Sequence, residues 1–148
     1  MSQAGGNVSG IAWGRPEGGL ALGLSAEGAF ALLHLRNVGA EPLTVLSHVV
    51  ADGFHFDWYR LTLRDADGNA RALSLFDDRD ESEVVTSRLA PGESLQHKVD
   101  LQAWARREVN GAAPLAPGAY QMSAEYEVSP RGAAWSGRLE AGPVTLDV

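Results

Sequence analysis

Hydrophobic and polar residues alternate with a period of two through most of this chain, in short runs broken by glycine, proline or acidic turns. Such alternation puts successive side chains on opposite faces of an extended strand. In the clearest run, Tyr120, Met122, Ala124, Tyr126 and Val128 fall on one side and Gln121, Ser123, Glu125 and Glu127 on the other. Trp58 to Arg64 repeats the pattern, with Tyr59, Leu61 and Leu63 opposed to Arg60, Thr62 and Arg64. Ala29 to Asn37 differs, because Phe30, Leu32 and His34 alternate with the equally apolar Ala31, Leu33 and Leu35. A strand apolar on both faces belongs in the middle of a covered sheet. Further strands are expected over Leu20 to Ser25, Leu43 to Val50, Ala70 to Phe76, Val84 to Leu89, Ser94 to Leu101, Trp135 to Glu140 and Val144 to Val148.

The interruptions carry turn chemistry. Ala26-Glu27-Gly28, Asn37 to Pro42, Asp67-Gly68, Ala90-Pro91-Gly92 and Ser129 to Gly132 all contain glycine, which accepts positive φ, and the second, fourth and fifth add proline, which fixes φ. Asp67-Gly68 is the strongest hairpin signal. Leu89-Ala90-Pro91-Gly92 and Leu115-Ala116-Pro117-Gly118 are identical and each precedes a strand, which is shared turn chemistry rather than a repeat architecture. The period changes once, where Asp100 can cap a short helix over about 101–109 that puts Leu101, Trp104 and Ala105 on one face and ends at Asn110-Gly111. About eight or nine antiparallel strands joined by short turns predict an all-β fold of two packed sheets with Greek-key connections.

The 148 residues suit one domain, read as a small polar arm over 1–7 followed by a single β-sandwich over 8–148. Hydrophobic residues at 45% and charged residues at 21% exclude a disordered or fibrous class. Twelve basic against 19 acidic side chains give a net charge of −7, which opposes nucleic acid and anionic membranes. With no cysteine there is no disulfide framework, thiolate metal site or cysteine nucleophile. The first ten residues lack the charge and apolar run of a secretory signal, so a cytoplasmic location is expected, although a secreted chain with its signal removed reads the same way. No apolar run approaches the ~20 residues of a membrane span. Lys98 is the sole lysine among the basic residues, a bias of GC-rich genomes.

Three segments together resemble small bacterial immunoglobulin-like modules: Ile11 to Gly14 with Gly19 to Leu22, then Leu33 to Gly39 with Glu41-Pro42-Leu43, then Leu115 to Tyr120. The second is similar to the strand and turn of intracellular proteinase inhibitor (BsuPI-like) domains. The resemblance implies an immunoglobulin-like sandwich, in which a tyrosine in the position of Tyr120 bonds its hydroxyl back to nearby backbone, and Tyr120 is expected to be buried. The matched motifs are turns and strands, and they bring no functional residue with them.

The common hydrolase and nucleotide signatures are absent. Four histidines, His34, His48, His55 and His97, sit on or beside expected strands, and a metal site needs at least two of them to converge. His55 and Asp57, two apart, are expected on one face of a strand as a hydrogen-bonding pair. Asp65 to Asn69 echoes a calcium loop, yet its glycine is fourth rather than sixth, so it reads as a hairpin turn. The aromatic segment Phe54, His55, Phe56, Asp57, Trp58 supplies rigid rings of the kind that anchor interfaces, and closing one end of the sandwich is its competing role. The acidic segment Asp77, Asp78, Asp80, Glu81, Glu83 is a second exposed loop. These two loops are the expected contact surface of a non-catalytic module that binds another protein, as a monomer or as a homodimer through a sheet edge, with no cofactor. The alternatives are a proteinase inhibitor, which rests on the BsuPI-like resemblance, and a metal-binding protein or metal-dependent enzyme.

Overall fold

The computed structural model describes residues 10–51, 53–77 and 82–148. Its strands are β1 (Ala12–Trp13), β2 (Leu20–Glu27), β3 (Phe30–Asn37), β4 (Leu43–Ala51), β5 (Gly53–His55), β6 (Tyr59–Asp65), β7 (Ala70–Ser74), β8 (Glu83–Leu89), β9 (Ser94–Asp100), β10 (Ala119–Val128) and β11 (Gly137–Asp147), with one helix, α1 (Leu101–Ala105). All pairings are antiparallel. The all-β sandwich expected from alternation is therefore present, with its strands hydrogen-bonded into three sheets, ordered β1-β2-β3-β9, β11-β10-β6-β7 and β5-β4-β8. The expected arm over 1–7 lies outside the described residues.

Leu20, Leu22 and Leu24 of β2, Leu33 and Leu35 of β3, Leu61 and Leu63 of β6, and Met122 and Tyr126 of β10 fill the core. The doubly apolar β3 lies between β2 and β9, as its pattern requires. Its second face is covered because Ile11 and Trp13 lie across Gly23, where a Cβ would come within 2.7 Å of Ile11 Cγ2. Beneath them Ser25 Oγ and His34 Nε2 are 3.0 Å apart, which satisfies a buried imidazole.

Local chemistry explains the turns. Asp65 Oδ1 accepts from the backbone N–H groups of Asp67 and Asn69, and Gly68 takes φ 89°, so this segment is the hairpin turn between β6 and β7. Tyr120 donates its hydroxyl to Ala116 O at 2.6 Å. Its ring, expected to be buried, is only half-buried, because it stands at the start of β10 where cover is incomplete.

Three elements depart from the expectation. The helix expected to about 109 stops at Ala105 after the Asp100 cap, and a separate 3₁₀ turn covers Glu108–Asn110 before Gly111 at φ 87°. Asn110 is the cause: its side chain accepts from Ser74 N at 2.7 Å and donates to Ser74 O and Trp104 O, and so draws the segment onto β7. The two C-terminal strands are one, because β11 continues past Gly142-Pro143 through a bulge opposite Ser123. Proline is tolerated there because β11 is an edge strand and needs no donor on its open side. Finally, Gly53–His55 forms a short strand of its own, β5, beside β4.

Candidate functional site

The aromatic segment divides between surface and core. Strand β5 pairs with β4 so that Phe54 lies opposite Val50 and His55 opposite Val49. Neighbours along a strand face opposite ways. Phe54 is 57% exposed beside the half-exposed Val50, whereas His55 is fully buried against Phe76 and Trp104. The strand then ends: Phe56 N donates to Leu75 O at 2.7 Å and Tyr59 N to Phe56 O at 3.0 Å. This tight turn buries Phe56, leaves Trp58 half-buried and tips Asp57 into solvent. The expected pairing of His55 with Asp57 on one strand face is thus corrected, because the turn begins between them. Partial burial raises the Asp57 carboxyl above its usual range, and nearby Arg131 opposes that rise.

His55 instead joins the two expected loops. Its Nδ1 accepts from Asp77 N at 3.1 Å, and the Asp77 carboxylate lies 3.5 Å from Arg107. Asp78, Asp80 and Glu81 lie outside the described residues.

Beside Phe54 the structure assembles a cluster that the sequence did not announce. The register of β4 on β8 shifts between Leu46 and His48, so Ser47 is the extra residue of a bulge. Bulges re-aim side chains. Ser47 Oγ is 2.9 Å from His48 Nδ1 and 3.2 Å from His97 Nε2, and the two rings stand edge to face at 5.5 Å. His48 stacks under Phe54 at 4.3 Å, and His97 meets Phe56 at 4.8 Å. Burial, reinforced by His48, pushes the His97 pKa down to about 4, so this ring is neutral near pH 7. A single hydroxyl has one proton to donate, so between two neutral imidazoles it donates to one ring nitrogen and accepts from the other. Ser47 itself is buried. Histidines 48 and 97 therefore converge, while His34 and His55 sit elsewhere, and among the described residues no three His, Cys, Asp or Glu side chains gather as a metal site.

A second feature is an open groove of about 640 Å³ over β6, β10 and β11, lined by Arg15, Arg60, Thr62, Ser123 and Arg138 among others. Arg138 is already paired with Glu125 and Glu140. This is the polar, solvated face of an antiparallel sheet. Among the described residues no helix is long and apolar enough to cross a membrane. No family model, curated protein or solved structure matches the chain.

Proposed function

We propose that this domain is a non-catalytic interaction module that binds another protein through the end formed by β5, the turn after it and the segment beginning at Asp77. The observation that carries this reading is Phe54, a large ring held 57% exposed and fixed in place by stacking on His48. A pre-ordered aromatic side chain buries area at low entropic cost, which is the character of an interface anchor. Asp57, exposed in the turn after β5, and Asp77, bonded to His55, put carboxylates at this end. The partner surface that fits is an apolar socket edged by Lys and Arg. The buried position of Ser47 favours binding over catalysis.

Phe54→Ala is the test, because an exposed side chain can be cut back at a fold cost within about 0.5 kcal/mol. Proteins captured from the native host extract by wild type are compared with those captured by Phe54→Ala, and each retained protein is then titrated directly. The reading expects a stoichiometric, basic partner whose affinity falls at least about tenfold in the variant. Equal affinity for both proteins overturns it. Phe56→Ala is unsuitable as a binding variant, since its buried ring supports the fold.

A further inference from the structure

Sheet edges expose unpaired N–H and C=O groups that can template another strand, and proteins blunt them with short strands, charges, proline or cover. Most edges here are blunted. Strands β1 and β5 have two and three residues. The Ser74 backbone of β7 is bonded on both its N–H and C=O by Asn110, β11 carries Pro143, and β9 carries Lys98, paired with Glu27. Strand β8 is the least protected, with its charges, Glu83 and Arg88, confined to the first residue and the last but one. It is seven residues of regular strand, Glu83–Leu89, without lysine or proline, and Val84, Val85 and Thr86 are consecutive β-branched residues. Val84 is 40% exposed, and among the described residues β8 pairs only with β4.

We propose that β8 pairs antiparallel with β8 of a second copy of this chain, making a homodimer with one continuous sheet ordered β5-β4-β8-β8-β4-β5. Charge selects this occupant. Glu83 opens β8 and Arg88 stands near its end, and in sequence four more acids and one arginine precede Glu83 over 77–82. An antiparallel copy sets each Arg88 beside the acidic start of the other strand, whereas a parallel copy stacks acids on acids. A two-fold axis normal to the sheet keeps each face in register, so a residue pairs with itself on the axis. Centred on Val85, the pairing sets Val84 opposite Thr86 and Glu83 opposite Ser87. Centred on Thr86, it sets Val84 opposite Arg88 and Val85 opposite Ser87. Neither places like charges opposite. At ~3.3 Å per residue, Glu83 and its copy then lie roughly 13 Å apart in the first register and roughly 20 Å apart in the second, beyond the ~8 Å screening length, so these acids do not prevent pairing. Phe54 stands on β5, the opposite edge of the same sheet, so Phe54→Ala and the β8 variants test separate edges.

Sedimentation of the full chain over a wide concentration range is the first test, and a reversible monomer–dimer equilibrium is expected. Val84→Lys with Thr86→Lys brings lysines face to face in either register, and is expected to weaken the dimer at least about tenfold while the circular dichroism spectrum stays unchanged. Because the chain has no cysteine, single substitutions report directly: Val85→Cys or Thr86→Cys is expected to form an intermolecular disulfide under mild oxidation, and Arg64→Cys on β6 is not. A monomer at every concentration, a dimer that survives the double lysine variant, or equal cross-linking through Arg64→Cys overturns the proposal. If the double variant does not fold, the cysteine pattern decides.

Discussion

Two tyrosines in contact, changed in the same way, are expected to shift stability in opposite directions. The rings of Tyr59 and Tyr126 lie 4.7 Å apart in the core. Tyr126 donates its hydroxyl to Leu46 O at 2.6 Å, beside the bulge where the β4 ladder is interrupted. The Tyr59 hydroxyl is buried with no hydrogen-bond partner, and desolvation raises its pKa well above the ordinary tyrosine value. An unsatisfied buried hydroxyl costs about 1–3 kcal/mol, and Tyr59→Phe removes it while keeping the ring. The void left by one oxygen, on the order of 10 Å³, returns only about 0.2 kcal/mol. Tyr59→Phe is therefore expected to stabilise the domain by about 1 kcal/mol or more. Tyr126→Phe leaves the Leu46 carbonyl without that donor and is expected to cost about 1–3 kcal/mol. Urea unfolding followed by tryptophan fluorescence reads both, provided the slope with denaturant is unchanged. If Tyr59→Phe destabilises by 1 kcal/mol or more (~1 kcal/mol being the resolvable difference), the orphaned hydroxyl is not real and the reasoning fails.

Other consequences follow from the same packing. His97 has a folded pKa of about 4 against 6.5 when free, so the unfolded chain takes up a proton first as pH falls. Stability is then full above about 6.5, declines as pH drops through that value and levels off below about 4, for a total loss of up to roughly 3 kcal/mol. His48 and His34 shift the same way, and His97→Gln should flatten the decline measured by urea midpoints across this window. Gly14→Ala puts a Cβ 1.6 Å from Glu140 O, which is backbone and cannot swing aside, so β1 must part from β11; unchanged thermal stability in this variant would contradict that close approach. Asn110→Ala removes the bonds to Ser74 and Trp104 and should cost about 2–3 kcal/mol, with faster amide exchange at Ser74 as the local signature.

The sequence by itself determined where most strands run, although not that β11 continues through Gly142-Pro143 or that Gly53–His55 forms β5. Alternation in β6 and β10, the Asp65–Asn69 turn, the Asp100 cap and the Tyr120 hydroxyl bond are local or nearly so, and periodicity or turn chemistry reads local order directly. The candidate site was legible only in part. Phe54 and Phe56 have the same parity in the sequence, yet one is exposed and the other buried, because a turn begins after His55 and parity has no meaning across it. Ser47, His48 and His97 meet because a bulge in β4 re-aims side chains toward β9, a strand of another sheet fifty residues away from Ser47 in the chain. The helix end was decided likewise by Asn110 reaching Ser74, across a sequence separation of 36. Which strand becomes an edge, which ring finds a socket and which hydroxyl is left without a partner are settled when sheets pack. That packing is set by contacts between residues far apart in the chain, and local pattern does not encode it.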